Sequence, residues 1–550
     1  MVLKFGKGRG LGHSNRRTQT SFTPLSLFAA SEPGAWYDPS DLSTLFQDAA
    51  GTTPVTAAGQ VVGLVLDKSN GLVLGPELIT NGRFSDGTTG WSFGAGWSVV
   101  NGAATITSAA TNISLTQARP AGVTEGKTYV VTFDLVQTNG TTALYVLGNT
   151  VWTGGMQAGS RRLVVIAGSS GGFTISASPG FTGSIDNISV RELPGNHASQ
   201  TTTASKPILA CEPLGGRRNL VPANSGPSEG TVGSTPTSWI ARGTVTAALL
   251  SGGGVRLTIP GGATASTDDF RQAITALIVG AGKVSFDMQL VSGSANNQFQ
   301  WLIGATGGVL TATTTRTRVS LDATFNATSH SLFFGPVNAG SATTVVDIFN
   351  IQVENGSTAT AYQKVTTAYD VTEAGKADLW FVLFDGVDDY LATGSINFTG
   401  TDKMTVLAGV RKLSDAARGM VAEIGTGGAN NWGLNAPSAN LGDFAFASAG
   451  STQRTATGNA AAPTTAVLTG LGDISGDSAI IRTNAVQQTP VTLDQGTGNF
   501  ASAPLYIGRR SGTSLPFNGR LYGLIVRGAT TDAATIAKAE SWLNSRTGAY

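Results

Sequence analysis

At 550 residues the chain is several times the length of an ordinary domain, and length alone suggests roughly three to four. Hydrophobic residues make up 41% and charged residues only 13%, so cores can form and the low charge does not signal disorder. A formal net charge of +1 gives no global field toward nucleic acid or an anionic membrane, and no run of about 18 apolar residues is present to cross a bilayer. The single cysteine, Cys211, excludes an intrachain disulfide and a cysteine-built zinc site. Short runs of Val, Ile, Thr and Phe, broken by Gly-Gly, Asn-Gly and Asp-Gly pairs, predict an all-β chain.

The first 20 residues carry Lys4, Lys7, Arg9, Arg16 and Arg17 among Gly6, Gly8, Gly10 and Gly12, with no acid before Glu32. No strand precedes these glycines, so they do not form a phosphate loop. No continuous apolar segment of the secretory type occurs either, so synthesis in the cytoplasm without a signal peptide is expected. Two readings of this arm stay open: an unfolded terminus, or a peptide that orders on a larger assembly. Next come Trp36-Tyr37, then Asp38-Pro39-Ser40-Asp41, a turn by its local chemistry, and an apolar strand from Val61 to Leu66.

Two middle stretches repeat each other. In one, Gly126-Lys127 leads into Val131-Thr132-Phe133-Asp134-Leu135 and the stretch closes on Asn187-Ile188-Ser189-Val190. In the other, Gly282-Lys283 leads into Val284-Ser285-Phe286-Asp287-Met288 and the close is Asn350-Ile351-Gln352-Val353. Shared landmarks at similar spacing imply a duplicated fold. Val131, Phe133 and Leu135 face one way and Thr132 and Asp134 the other, as in a strand with one buried face. Several such strands with glycine turns make a jelly roll, and both stretches resemble carbohydrate-binding jelly-roll modules. Sugar binding needs aromatic faces and a few orienting polar groups. Trp91, Trp97, Tyr145 and Trp152 are the aromatic candidates in the first module, and Trp239, Phe299 and Trp301 in the second. Trp91 and Trp239 sit at matching opening positions and are expected in the core. Trp97, Trp152, Tyr145 and Trp301 are kept as ligand-binding candidates.

The C-terminal region runs through Phe384-Asp385-Gly386-Val387-Asp388-Asp389-Tyr390, Leu505-Tyr506-Ile507-Gly508 and Phe517-Asn518-Gly519-Arg520-Leu521-Tyr522. Together with Asp67-Lys68-Ser69 and Gly195-Asn196-His197, these phrases resemble a laminin-G/concanavalin A-like lectin sandwich that two insertions have interrupted. That reading predicts that residues 61–67 or 206–210 join strands drawn from 380–527. One helix is expected from Asp532 to Arg546, with Thr531 as its cap and Gly548 beyond its end. Asp388 and Asp389, taken as neighbours on a strand, should point to opposite faces; a structural role is expected and calcium is kept as the alternative. No carboxylate pair at alternate strand positions occurs, Glu423 stands alone, and His13, His197 and His330 are scattered, so no catalytic residues are expected and the chain is read as a non-enzyme.

The expected organisation is a basic arm over 1–33, a segment over 34–75 that packs with the C-terminal sandwich, a jelly roll over 76–193, a strand segment over 194–217, a second jelly roll over 218–362 and the lectin-like sandwich over 363–550. The Gly34–Leu42 block is similar to one in structural proteins of tailed bacteriophages and prophages. The resemblance implies a virion protein, a fibre or spike-like appendage that binds host surface glycans, held to other virion proteins by its arm. It also implies a homo-oligomer, a trimer, with neither nucleic acid nor membrane as partner. A capsid head fibre or decoration protein shares these features, whereas a capsular polysaccharide depolymerase would need a carboxylate cluster.

Overall fold

The computed structural model describes residues 22–152, 158–260, 267–293, 298–337, 343–425 and 427–550, excepting the side chains of 150–152. Among these residues the structure is β throughout except for one C-terminal helix and three short 3-10 segments. The central sandwich has one sheet in the order Gln363–Thr367, Asp370–Glu373, Ile208–Pro213, Asp378–Asp385, Asn518–Arg527, Lys403–Lys412, Thr464–Asp473, Ser478–Thr483 and Val486–Gln487, with Gly34–Tyr37 also on Asn518–Arg527. The facing sheet runs Leu45–Phe46, Leu64–Val65, Ala198–Ser199, Leu391–Asn397, Ser502–Ile507, Met420–Ile424, Asn431–Asn435, Asp443–Ala449 and Gln453–Asn459. Phe384, Phe398, Trp432, Phe444, Phe446 and Leu505 fill the space between them.

The pairing expected of the early segments is present. Ile208–Pro213 lies antiparallel to Asp378–Asp385, with Ile208 opposite Leu383. Leu64–Val65 pairs with Ala198–Ser199, which pairs in turn with Leu391–Asn397. Val62, Val65 and Leu209 join the sandwich core, which gives these short strands the burial that an isolated pair lacks.

Polar clamps close the chain where each insertion leaves and returns. At the first, the buried Asp67 carboxylate accepts from Trp36 N and Ser69 N at 2.8 Å, Ser69 Oγ at 2.8 Å and Asn196 N at 2.7 Å. His197 Nδ1 accepts from Asp67 N at 2.8 Å, so the ring is neutral there and its Nε2–H faces Leu193 O at 3.1 Å. Burial pulls the His197 pKa below its usual value, although the Leu193 carbonyl and Asp67 oppose the shift. The Asp-x-Ser and Gly-Asn-His phrases are therefore the two halves of one hydrogen-bonded joint. At the second joint, the fully buried Asn219 donates to Ile351 O at 3.0 Å and Gln363 O at 2.8 Å, and its Oδ1 accepts from Val221 N and Val353 N. Gln363 Nε2 reaches Gly216 O at 2.9 Å.

The two insertions share one topology. The first has a sheet in the order Gly159–Ile166, Thr128–Asn139, Thr182–Glu192, Ala103–Ile106, Ser98–Val100, and the second matches it with Thr317–Phe325, Gly280–Ser292, Thr344–Asn355, Val255–Ile259, Thr246–Leu249. The remaining five-stranded sheets correspond strand for strand as well. The repeated Asn-Ile-x-Val has a physical cause. Asn187 and Asn350 have φ of 53° and 51°, within bulges between Asp186 and Ser189 and between Phe349 and Gln352. Asparagine tolerates this left-handed backbone better than most residues. Each amide also donates to the aspartate of the neighbouring strand, Asn187 to Asp134 at 2.7 Å and Asn350 to Asp287 at 2.9 Å.

The helix spans Ala533–Thr547 and ends at Gly548 with φ 59°. Its cap is Asp532, whose side chain accepts from Thr535 N at 3.0 Å, and not Thr531. Thr531 Oγ1 is instead engaged by Arg527 at 2.7 Å and Thr405. Ala539 and Leu543 pack with Trp36, Leu407 and Ile525 on the outer face of the ten-stranded sheet. Residues 22–33, expected as part of the arm, also belong to the folded body. Leu27 is buried in the same cluster, and Glu32 takes a two-pronged contact from Arg527 at 2.7 and 2.8 Å. The basic stretch, 1–21, lies outside the described residues.

Candidate functional site

The outer face of the first module's Thr128–Asn139 sheet builds a recess. Alternation sends Tyr129, Val131, Phe133 and Leu135 into the core and leaves Val130, Thr132 and Asp134 on the other side. At one end of that outer face, Val130 and Val164 are buried against Phe46, Leu64, Leu66 and Leu193, so the module is fastened to the central sandwich by an apolar contact. Beyond the contact the face stays open. A cavity of about 680 Å³ adjoins one of about 340 Å³, and both are lined by Thr132 and Asn187.

Both apolar and fixed polar groups line this groove. Leu74, Ile79, Val130 and Ile188 supply the apolar surface of the larger part, beside Glu77, Asn81, Arg83, Ser189 and Arg191. Glu77 is held in place by Val190 N at 2.9 Å, Ile79 N at 3.0 Å and Ser189 Oγ. Burial pushes its carboxyl pKa up, but hydrogen bonds from Ser189, Ile79, Val190 and Arg191 outweigh this and bring it below the usual range. The smaller part is lined by Asp134, Ser160, Arg161 and Arg162. Hydrogen bonds from Ser160 and then Asn187 hold the Asp134 carboxyl below its ordinary value. Burial lowers the pKa of the Arg162 guanidinium.

In the second module the equivalent carboxylate is covered. Asp287 receives Arg316 at 2.7 Å, Arg318 at 2.9 Å and Asn350 at 2.9 Å. The Arg316 guanidinium lies 3.7 Å from the centroid of the Phe349 ring, and Arg318 also donates to Ser285 Oγ at 2.8 Å. Two arginine side chains thus occupy the face that remains open in the first module.

The aromatic candidates fall elsewhere. Trp97 is 6% exposed and Trp301 4%, each within a module core, so neither offers a ring face to a sugar, and burial corrects the expectation for both. Phe299 is also core. Trp91 and Trp239 have the expected core role, and each indole N–H donates to backbone carbonyls of its opening loop, Thr80 and Asn81 for one and Asn224 for the other. Tyr145, 41% exposed, stands on the module's other sheet, away from the groove. Trp152 ends the strand beside it, but its side chain lies outside the described residues. One groove residue is within reach of sequence reading: alternation along Val131–Leu135 turns Asp134 outward, whereas Asn187 lies in a bulge that alternation does not place.

The acidic phrase in the sandwich forms a turn. The strand ends at Asp385, so Asp388 and Asp389 do not alternate across a sheet, which corrects the expectation of opposite faces. Asp385, Asp388 and Asp389 bring one carboxylate oxygen each within 4.8 Å of one another. The turn itself uses these groups: Asp385 Oδ1 accepts from Val387 N at 2.7 Å, Asp389 Oδ2 from Asp385 N at 3.0 Å, and Asp388 Oδ2 from Ser205 Oγ at 2.7 Å. Burial, followed by the charges of Asp385 and Asp388, pushes Asp389 up to about 6, although the hydrogen bond from Asp385 N opposes the shift.

No protein-family model matches the sequence. No curated protein matches it. Among solved structures, the binding domain of botulinum neurotoxin DC in complex with SialylT is similar at 10% identity and a TM-score of 0.24, over 30% of this chain and 42% of that one. The botulinum neurotoxin serotype G binding domain is similar at 11% identity and a TM-score of 0.26, over 32% and 44%. The CBM40 of the Ruminococcus gnavus IT-sialidase is similar at 18% identity and a TM-score of 0.22, over 25% and 83%. This chain spans less than half the length of the neurotoxin chains, and likenesses this slight carry no argument about function.

Proposed function

We propose that this chain is a non-catalytic structural protein of a bacteriophage virion, a fibre or spike-like appendage, whose first jelly roll binds a host surface glycan in the groove around Thr132 and Asn187. The observation that supports this most is the build of the groove. A recess of about 680 Å³ falls within the range of small-molecule sites, and one end of its floor is fastened to the central sandwich through Val130 and Val164. Its donors and acceptors are therefore set before a ligand arrives, which lowers the ordering cost of binding. Leu74, half-buried at the rim, gives the C–H side of a sugar an apolar contact, while Glu77, Asp134 and Ser160 suit its hydroxyls. Both carboxyls are held below their usual range and act as acceptors, which favours binding over acid catalysis. The virion assignment rests on the resemblance of the Trp36 block to phage structural proteins, and symmetric copies, expected as a trimer, would raise weak single-site affinity by roughly 10²–10⁴. Two measurements test the reading. The intact chain should bind a defined subset of a glycan array, and mass spectrometry should find it in purified particles; binding to no glycan, or absence from particles, would count against the corresponding half.

A further inference from the structure

A second recess lies between the foot of the second module and the outer face of the ten-stranded sheet, far along the chain from the groove described above. It measures about 450 Å³ and includes Glu212, Arg217, Arg411 and Arg520, with Thr275 and Ala276 on the module side. Arg411 and Arg520 are direct partners across neighbouring antiparallel strands, a placement in which like charges repel. Only Arg520 is neutralised, by a two-pronged pair with Glu212 at 2.6 and 2.7 Å, and it also lies over the Phe381 ring. Arg217 is held by backbone carbonyls alone, Asn219 O at 2.9 Å, Val221 O at 2.9 Å and Ala368 O at 3.5 Å. The Arg411 side chain makes no hydrogen bond or ion pair among the described residues, and its Nε is buried without a partner. The segments outside the description contain no Asp or Glu, so none of them can supply a carboxylate.

Three guanidiniums therefore share one carboxylate in a partly enclosed space. Burial pulls the Arg217 pKa below its ordinary value; Glu212 opposes the shift and Arg520 adds to it. Planar guanidiniums with free N–H groups match the geometry of carboxylate, sulfate or phosphate oxygens. We propose that this cleft is an oxyanion-binding site in which Arg411, supported by Arg217, receives the carboxylate, sulfate or phosphate of a small ligand. Glu212 takes no part in ligand contact and keeps Arg520 aligned. The site is independent of the glycan groove, and either can fail without the other.

The test uses the intact chain. Sodium sulfate, sodium phosphate and sodium glucuronate are titrated by calorimetry at constant ionic strength, with sodium chloride and neutral glucose as controls. Saturable binding of one or more of the three anions, absent for chloride and glucose, is expected. Sulfate or phosphate alone identifies a free inorganic anion, and glucuronate alone an acidic sugar. Arg411→Ala should weaken binding at least tenfold with an unchanged far-ultraviolet circular dichroism spectrum, and Arg217→Ala serves as the second variant should the first misfold. Absence of saturable binding by all three anions, or equal affinity in a folded Arg411→Ala protein, would overturn the proposal.

Discussion

The two inserted modules share strand order, bulge and the Asp–Asn pair, yet they use that shared face in opposite ways. In the first, Asp134 meets Ser160 and Asn187 and looks onto an open groove. In the second, Arg316 and Arg318 close over Asp287. The position of Ser160 opposite Asp134 is taken by Arg318 opposite Asp287. A small hydroxyl leaves space that a guanidinium fills. The Asp–Asn pair is thus part of the fold, and the residue opposite the aspartate decides whether the face is available. The attachments differ too: the first module adds an apolar contact through Val130 and Val164 to its Asp67–His197 joint, whereas the second is clamped by the buried amides of Asn219 and Gln363.

The largest effects should come from the joints. Asp67→Ala removes four hydrogen bonds from buried or nearly buried donors and should destabilise the sandwich by about 3–5 kcal/mol, read by urea denaturation. Asn219→Ala should cost about 2–4 kcal/mol by the same logic and should fall on the second module's attachment, seen as faster amide exchange in residues 218–225 and 349–353. A first-module exchange change of equal size would blur the contrast between the two attachments.

The host sandwich supplies a control that lies in neither module. Asp389 is 7% exposed and its pKa rises from the model-peptide 3.8 to about 6 in the folded state. The folded chain then binds more protons than the unfolded one between these values, so stability falls as pH rises through that window and levels off above it. The drop is at most about 3 kcal/mol. Asp389→Asn should flatten this part of the stability–pH curve while leaving glycan binding by the first module unaltered. A profile that stays sloped in the variant would place the proton elsewhere. The smallest effect is expected of Asp287→Ala: its ion pairs are partly exposed, and their loss should cost less than about 1 kcal/mol by thermal denaturation.

Much of this architecture was legible before any coordinates. The alternation in Val131–Leu135 and Val284–Met288 set the buried faces, and the unpaired apolar segments near 61–67 and 206–210 pointed to a sandwich assembled from distant pieces. What stayed hidden has physical causes. Trp97 and Trp301 resembled ligand platforms because sequence cannot tell a buried indole from an exposed one on a short strand. The helix cap shifted by one residue, from Thr531 to Asp532, since both residue types cap well and only Asp532 reaches Thr535 N. The open groove stayed hidden because Asp134 and Asn187 also serve the fold, and only the pairing of Ser160 opposite Asp134 leaves the face beside them free. The arginine cleft joins residues 217, 411 and 520, and such a meeting follows only from the register of strands far apart in sequence.

The central claim is that the open face of the first module, and not its covered twin, holds the glycan. The most direct measurement compares the intact chain with Asp134→Ala and Asp287→Ala for affinity to a sugar selected on an array. Asp134→Ala should lose at least tenfold, about 1.4 kcal/mol, while Asp287→Ala binds as the parent does. Undiminished binding by a folded Asp134→Ala protein, or a loss produced instead by Tyr145→Ala or Trp152→Ala, would contradict the account and move the site to the module's other sheet.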